Sequence, residues 1–358
     1  MDPEKRKEIF IGPAIVASAN AMRAFDAPVR YPLLFSALPT DFWWNPDAKN
    51  ITTALRLSSF SSFIVTIEHL IGALIITPFI LLRRGKAHFI SVLNNFQTKE
   101  WISITFVSLG SGLGLYFFLI SFALGNPTVA ILLQKSQPLI TLLVAMILLK
   151  ERPTKFYYIA IIFSIMGIFL IAFENPFQIT LSFEALAALC SIIAAIFWGS
   201  NTVFGRILTE KADYWDITTF RYIGGTVILI GFNFLVFAYT PANFNVLGES
   251  FTTFPKILET NLGIPMLGLI CIIYSTILTG GIIPLALYYY GLRWSKASVG
   301  GLAELAFPLL AIFINFIFLG FTLTTTQILG AIILFGVVTT LSYINTKEYE
   351  KDEISVEG

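Results

Sequence analysis

Hydrophobic residues fall in long runs along this chain, broken by short polar links. A helix needs about 20 mostly apolar residues to cross a bilayer. Ten such runs can be drawn, at roughly 9–25, 59–82, 102–123, 128–149, 156–173, 183–204, 217–239, 264–290, 298–319 and 325–344. Spans that face lipid must satisfy every backbone group internally, so the runs are expected to be helices. The pattern predicts an all-α integral membrane protein with ten transmembrane helices.

Two of the runs are interrupted in the same way. The fourth carries Gln134, Lys135, Ser136, Gln137 and Pro138 between strongly apolar flanks, and the ninth carries Glu304 and Pro308. Pro138 and Pro308 lie 170 residues apart, and at that offset Gln134 falls on Glu304. A second match, at a different offset, sets Glu68–His69–Leu70–Ile71–Gly72 against Arg221–Tyr222–Ile223–Gly224–Gly225. Two related halves follow, 1–174 and 175–346, with a cytoplasmic tail over 347–358. Five spans per half is an odd number, so consecutive copies must cross in opposite senses. Inverted repeats of this kind place a binding site near the bilayer midplane, where the halves meet.

The charges set the orientation. With the N-terminus inside, sixteen of the 23 lysines and arginines fall in cytoplasmic segments and four in external ones, while Arg23, Lys135 and Arg221 fall within spans. That bias puts both termini in the cytoplasm of a multi-pass cell-membrane protein. Residues 26–58 are then expected as a long external insertion, rich in proline and aromatics, with Trp43 and Trp44 as interfacial anchors and Asn50–Ile51–Thr52 as a glycosylation match. Residues 240–263 form a second external loop.

Composition narrows the function. The 358 residues are 56% hydrophobic and 13% charged, with a mean hydropathy of +0.78. That is about half the charge of a soluble domain. A net charge of +1 gives no basic face for nucleic acid. Cys190 and Cys271 both lie in apolar runs and read as small core residues rather than a disulfide or metal pair. No metal cluster, phosphate-cradling glycine loop or cofactor motif stands out, and no cofactor is expected.

The candidate site residues are the polar ones at membrane depth, which usually face a cavity or a partner. Lys135 sits about eight residues into its span, on the order of 12 Å deep. It is expected to line the pathway with Gln134 and Gln137, pairing with Glu304 or a substrate anion; the plainer reading is an ion pair that locks the halves together. Proline leaves the carbonyl four residues earlier without its helical donor, so Pro138 frees that of Gln134 and Pro308 that of Glu304. Each helix break thus offers a side chain and a bare acceptor together; the alternative is a kink healed by a neighbouring helix. Glu304, Glu68 and His69 are the candidates for a coupling proton, although a hydrogen-bonded packing role suits His69 better. Asn20 and Asn201 hold matching places in the two halves, able to bond a ligand or another helix. Tyr116, Trp198 and Tyr288 can wall a site for a ring-bearing substrate, though most of 34 phenylalanines and other aromatics must pack or face lipid.

Several of these motifs resemble the drug/metabolite transporter superfamily, EamA type. They are Pro138 followed by Leu148–Leu149–Lys150–Glu151–Arg152, the stretch Trp198–Gly199–Ser200–Asn201, Arg221 early in the next span, and Gly330 in the last. The resemblance covers most of residues 100–345. The first half departs from it, with Ala17–Ser18–Ala19–Asn20 in place of the Trp–Gly pair and Glu68 where the second half has Arg221. It implies a secondary transporter moving amino acids, related metabolites or amphipathic drugs by alternating access, by export or exchange. Its partners would be the bilayer, a small-molecule substrate and a coupling proton. Two rivals stand beside it, an intramembrane enzyme using Glu68 and His69, and a receptor binding a chromophore through Lys135.

Overall fold

The computed structural model describes residues 11–35, 51–150, 155–173, 182–208, 210–239, 267–279, 281–292 and 306–357. Among these residues the secondary structure is helical, with no strand. The first helices are α1 (Gly12–Arg23), α2 (Asp26–Phe35), α3 (Ile51–Asn94) and α4 (Thr98–Leu124). Next come α5 (Pro127–Gln134), α6 (Gln137–Leu148), α7 (Lys155–Ala172), α8 (Phe183–Leu208) and α9 (Tyr214–Ala238). Then α10 (Leu267–Tyr274), a π-helical turn (Ser275–Thr279), α11 (Ile282–Leu292), α12 (Ala306–Leu319) and α13 (Thr325–Glu357) follow. Among the described residues, five stretches are long and apolar enough to cross a membrane: Thr52–Asn94, Thr98–Leu124, Pro127–Leu148, Phe183–Leu208 and Trp215–Ala238.

Local chemistry sets the helix ends. Glu100 accepts from the backbone N–H of Gln97 at 2.9 Å, closing a capping box at the start of α4. Asn126 caps α5 by accepting from the Thr128 N–H at 2.8 Å. The α5–α6 helix breaks at Lys135–Ser136, just before Pro138, which lacks a backbone donor and sits in the first turn of α6. Asp213 caps α9, accepting from the N–H groups of Trp215 and Asp216.

Two expectations change. Residues 26–58 are not a loop throughout: α2 occupies Asp26–Phe35, and α3 begins at Ile51 rather than near 59. The proline-rich composition suggested a loop, but Pro28 lies in the first turn of α2, where its missing N–H has no helical partner to lose. Arg30, expected in the external loop, is only 1% exposed. Trp43, Trp44 and Asn50 lie outside the described residues, as do 240–263. The last span, expected to end near 344, continues as helix to Glu357 through the proposed tail.

Small residues let the helices close on one another, as membrane bundles require in the absence of a hydrophobic drive between helices. α4 is the most enclosed of the long spans. It packs on α8, where Gly110 leaves room for Asn201 and Gly114 for Trp198. The Ser191 hydroxyl donates to Ser121 Oγ at 3.2 Å and to the Ala130 carbonyl at 2.9 Å. α3 packs along α9, with Ser62 donating to Asn233 Oδ1 at 2.7 Å and Asn233 Nδ2 to Thr66 Oγ1 at 2.5 Å. α7 meets α13 through two glycines: a Cβ on Gly330 would stand 2.7 Å from the Gly167 carbonyl oxygen, and one on Gly167 3.0 Å from that of Gly330.

One end of the α3–α9 seam is closed by charge. Arg84, just before the positive-φ Gly85, donates to Asp213 and, at 3.3 Å, to Asp216. His88 Nε2 lies 3.1 Å from the Asp216 carboxylate. Beside it the exposed Lys99 pairs with Glu210 at 2.8 Å, a contact worth little by itself. Partial burial of Asp213 raises its carboxyl pKa, but the Asp216 N–H and the Arg84 guanidinium outweigh that and hold it below the usual carboxylate range.

Two predictions follow from this packing. A valine at Gly330 meets backbone rather than a side chain that can turn away, so Gly330→Val destabilises the detergent-solubilised protein by about 1–3 kcal/mol, read as a lowered melting temperature. A depressed pKa makes the Asp213 contribution full above the unfolded value of about 3.9 and lost as pH falls through the folded value. The melting temperature should therefore drop on acidification below about pH 4, and Arg84→Gln should flatten that part of the profile.

Candidate functional site

The apolar bundle encloses an ionic cluster built from distant parts of the chain. Arg30 on α2 donates through Nε to Asp26 Oδ1 at 2.6 Å, four residues earlier on the same helix. Its Nη1 donates to both Glu68 oxygens on α3, at 2.8 and 2.7 Å. The Thr279 hydroxyl, at the end of the π-turn, donates to the same Asp26 oxygen at 2.8 Å. All four side chains are buried. The cluster fastens α2 and α3 to the π-turn between α10 and α11, and π-turns within helices are frequent at functional sites.

A second group lies one residue along α3. His69 Nδ1 is 2.9 Å from the Val65 carbonyl, and its Nε2 is 3.0 Å from Ser111 Oγ on α4. Arg221 Nε donates to that same hydroxyl at 2.9 Å. The Tyr222 ring packs at 5.6 Å from the His69 ring, in space left by Gly72. His69 in turn fills space left by Gly225.

The third group surrounds Phe307 on α12. The Lys135 ammonium, at the α5–α6 break, stands 5.0 Å from the ring centroid, and the Arg23 guanidinium, at the end of α1, stands 5.9 Å from it. A desolvated cation over a ring gains about 2 kcal/mol, while a charged side chain at mid-membrane costs about 2.5–3.5 kcal/mol by insertion scales. The ring offsets part of that cost.

The other expected site residues fall as follows. Gln134 donates through Nε2 to Gln137 Oε1 at 2.6 Å, so the two amides bridge the helix break beside Lys135. Asn20 donates to its own helix, to the Val16 carbonyl at 2.9 Å. Asn201 reaches the Val107 carbonyl at 3.3 Å, leaving its buried Oδ1 without a partner. Trp198 packs edge-on to Phe118, and Tyr116 shares a 2.5 Å hydrogen bond with Ser58. Glu304 and the Tyr288 side chain lie outside the described set, so the expected Lys135–Glu304 pair does too. Pro308 sits in the first turn of α12 as described. Cys190 and Cys271 are free thiols.

Sequence reasoning missed Asp26, Arg30, Thr279, Arg23 and Phe307 as site residues. Asp26 and Arg30 had a visible signal, opposite charges spaced i, i+4, but the surrounding prolines placed them in a loop. Nothing in the local pattern around Thr279 or Phe307 marks either residue, because their partners come from the opposite end of the sequence.

A sequence model of the EamA-like transporter family matches residues 51–173 and matches again over 185–343. The chain belongs to the EamA-like transporter family. It is a multi-pass membrane protein that transports small solutes. Among its EamA-like relatives is the riboflavin transporter ImpX of Fusobacterium nucleatum subsp. nucleatum, 29% identical over 230 residues, which are 64% of this chain and 70% of the relative. A solved crystal structure shares the fold at a TM-score of 0.50 and 14% identity, over 90% of this chain and 98% of its own.

Truncating the central cation of this cluster should be severe. Arg30→Met leaves Asp26 and Glu68 buried without their partner and should cost about 3–5 kcal/mol, seen as lost folded yield on size exclusion in detergent. Replacing both carboxylates as well (Asp26→Asn, Glu68→Gln) should recover most of that yield.

Proposed function

We propose that the protein is a secondary transporter of ten spans, in which two inverted five-helix repeats carry a small organic solute by alternating access. The repeats occupy 1–174 and 175–346, with both termini in the cytoplasm of a cell-membrane protein. Transport runs as export or exchange.

One observation carries the reading. Of the two segments that align as copies, His69 packs in the space left by Gly225 and Tyr222 in the space left by Gly72. Residue and partner thus exchange places, which is the signature of a twofold-related contact. The helix pairings follow the same exchange: α1 packs on α11 as α8 packs on α4, while α3–α9 and α7–α13 each pair with their own counterpart. Polar groups from both copies then meet around Ser111, Tyr222 and Phe307. The enzymatic rival loses its acid–base pair, since Glu68 is held by Arg30 and His69 by Val65 and Ser111.

Gln134, Lys135 and Gln137 at the helix break form the substrate-binding edge of the cavity, and Asn20, Asn201, Tyr116, Trp198 and Tyr288 lie on the helices around it. Riboflavin, the solute named for the relative, is the first substrate to try, because its fused rings suit a site with Phe307 and Tyr222 in it. Glu304 is the carboxyl proposed to carry a coupling proton.

Proteoliposomes holding the purified protein should take up riboflavin saturably and faster under an imposed pH gradient, with Glu304→Gln abolishing the gradient effect. If no solute in a panel of flavins, amino acids and amphipathic drugs moves faster than in empty liposomes, the transport mechanism is wrong.

A further inference from the structure

Resting on that reading, we propose that the transported solute is a ring-bearing anion, whose acidic group is bound between Arg23 and Arg221 with Lys135 beside it. The charges at membrane depth give the argument. Four cations lie there, Arg23, Arg30, Lys135 and Arg221, and the described carboxylates among them are Asp26 and Glu68. Arg30 engages both of these. With Glu304, placed in the ninth span by the sequence, the cations outnumber the carboxylates by one.

Among the described residues Arg23 and Arg221 form no ion pair. Arg23 faces the Phe307 ring, and Arg221 donates to the neutral Ser111 hydroxyl. Both side chains are partly exposed. Arg23 ends α1 where α2 takes over, eleven residues from the start of a helical pair that runs to Phe35. At 1.5 Å per residue that is on the order of 16 Å, about halfway along the pair. The Tyr222 hydroxyl stands beside Gly281, just past the π-turn, and Thr279 of that turn bonds Asp26, three residues after Arg23, so both arginines border one locus. Guanidinium groups hold carboxylates and phosphates by paired, charge-assisted hydrogen bonds. Phe307 and Tyr222 offer faces for the ring of the same solute.

The test uses solutes matched in their rings and different in charge. Riboflavin is compared with riboflavin 5′-phosphate, and indole-3-acetamide with indole-3-acetate, by fluorescence titration of the full chain in neutral detergent. The wild-type protein should bind each acid about tenfold or more tightly than its neutral counterpart. The gap should shrink to about threefold or less in Arg23→Gln and in Arg221→Gln and largely persist in Arg23→Lys, with melting temperatures reported for each variant. Equal affinity for acid and neutral forms in wild type overturns the proposal, as does a gap unchanged in both glutamine variants. If Arg23→Gln does not fold, Arg221→Gln decides. Loss of the preference in phosphatidylglycerol nanodiscs, with retention in phosphatidylcholine, assigns the cations to lipid headgroups and also overturns it. Transport of a neutral solute without binding of either acid removes the anion site and leaves the transporter standing. Tight binding of the acids with no transport of any solute does the reverse.

Discussion

A guanidinium inside an apolar bundle has to be neutralised by its neighbours, and Arg30 is the group around which this bundle is arranged. Its two carboxylate partners lie on different helices, and Thr279 adds a third helix through Asp26. Attraction between such groups is strong in a low-dielectric interior, but only good geometry outweighs the desolvation of three charges. The packing of α2, α3 and the π-turn is therefore tied to one small set of distances. A shift of any of these helices has to move the others or break a charged contact.

Close approach of the helices is what makes that geometry reachable. Glycines at 72, 110, 114 and 225 hold no side chain, and Tyr222, Asn201, Trp198 and His69 occupy the space. The polar groups are thereby drawn together instead of being spread over lipid-facing surfaces. Where α3 and α9 leave the apolar region, Arg84 and His88 continue the seam with Asp213 and Asp216. The same pair of helices thus carries hydroxyl–amide contacts at Ser62 and Asn233, ring contacts at Tyr222, and ion pairs at Arg84. A movement that opens one end of the seam must be accommodated along all of it.

The helical membrane architecture was legible because apolar runs of membrane length admit few other structures. Pro138 announced a break and α5 ends four residues before it, since a missing N–H acts locally and can be read locally. The segment 26–58 misled for a related reason. Proline and aromatics suggested a loop, yet prolines near a helix start disturb little, and the i, i+4 pair Asp26–Arg30 held the helix together. The role of Glu68 depended on Arg30 being buried, so an error at α2 carried over to α3. Phe307 was invisible as a binding residue among 34 phenylalanines, because its meaning comes from Arg23 and Lys135, which reach it from far away in sequence.

The bond from Thr279 to Asp26 spans 253 residues, and α1 packs on α11. α1 therefore waits for α11 to be made before it finds this neighbour. At roughly 5–20 residues per second, that wait is on the order of ten to fifty seconds. During it, Arg30 and its acidic partners must sit in or beside the bilayer without the Thr279 hydroxyl. Biogenesis of this protein is thus exposed at α1 and α2, where the insertion machinery or a membrane chaperone would have the longest opportunity to act.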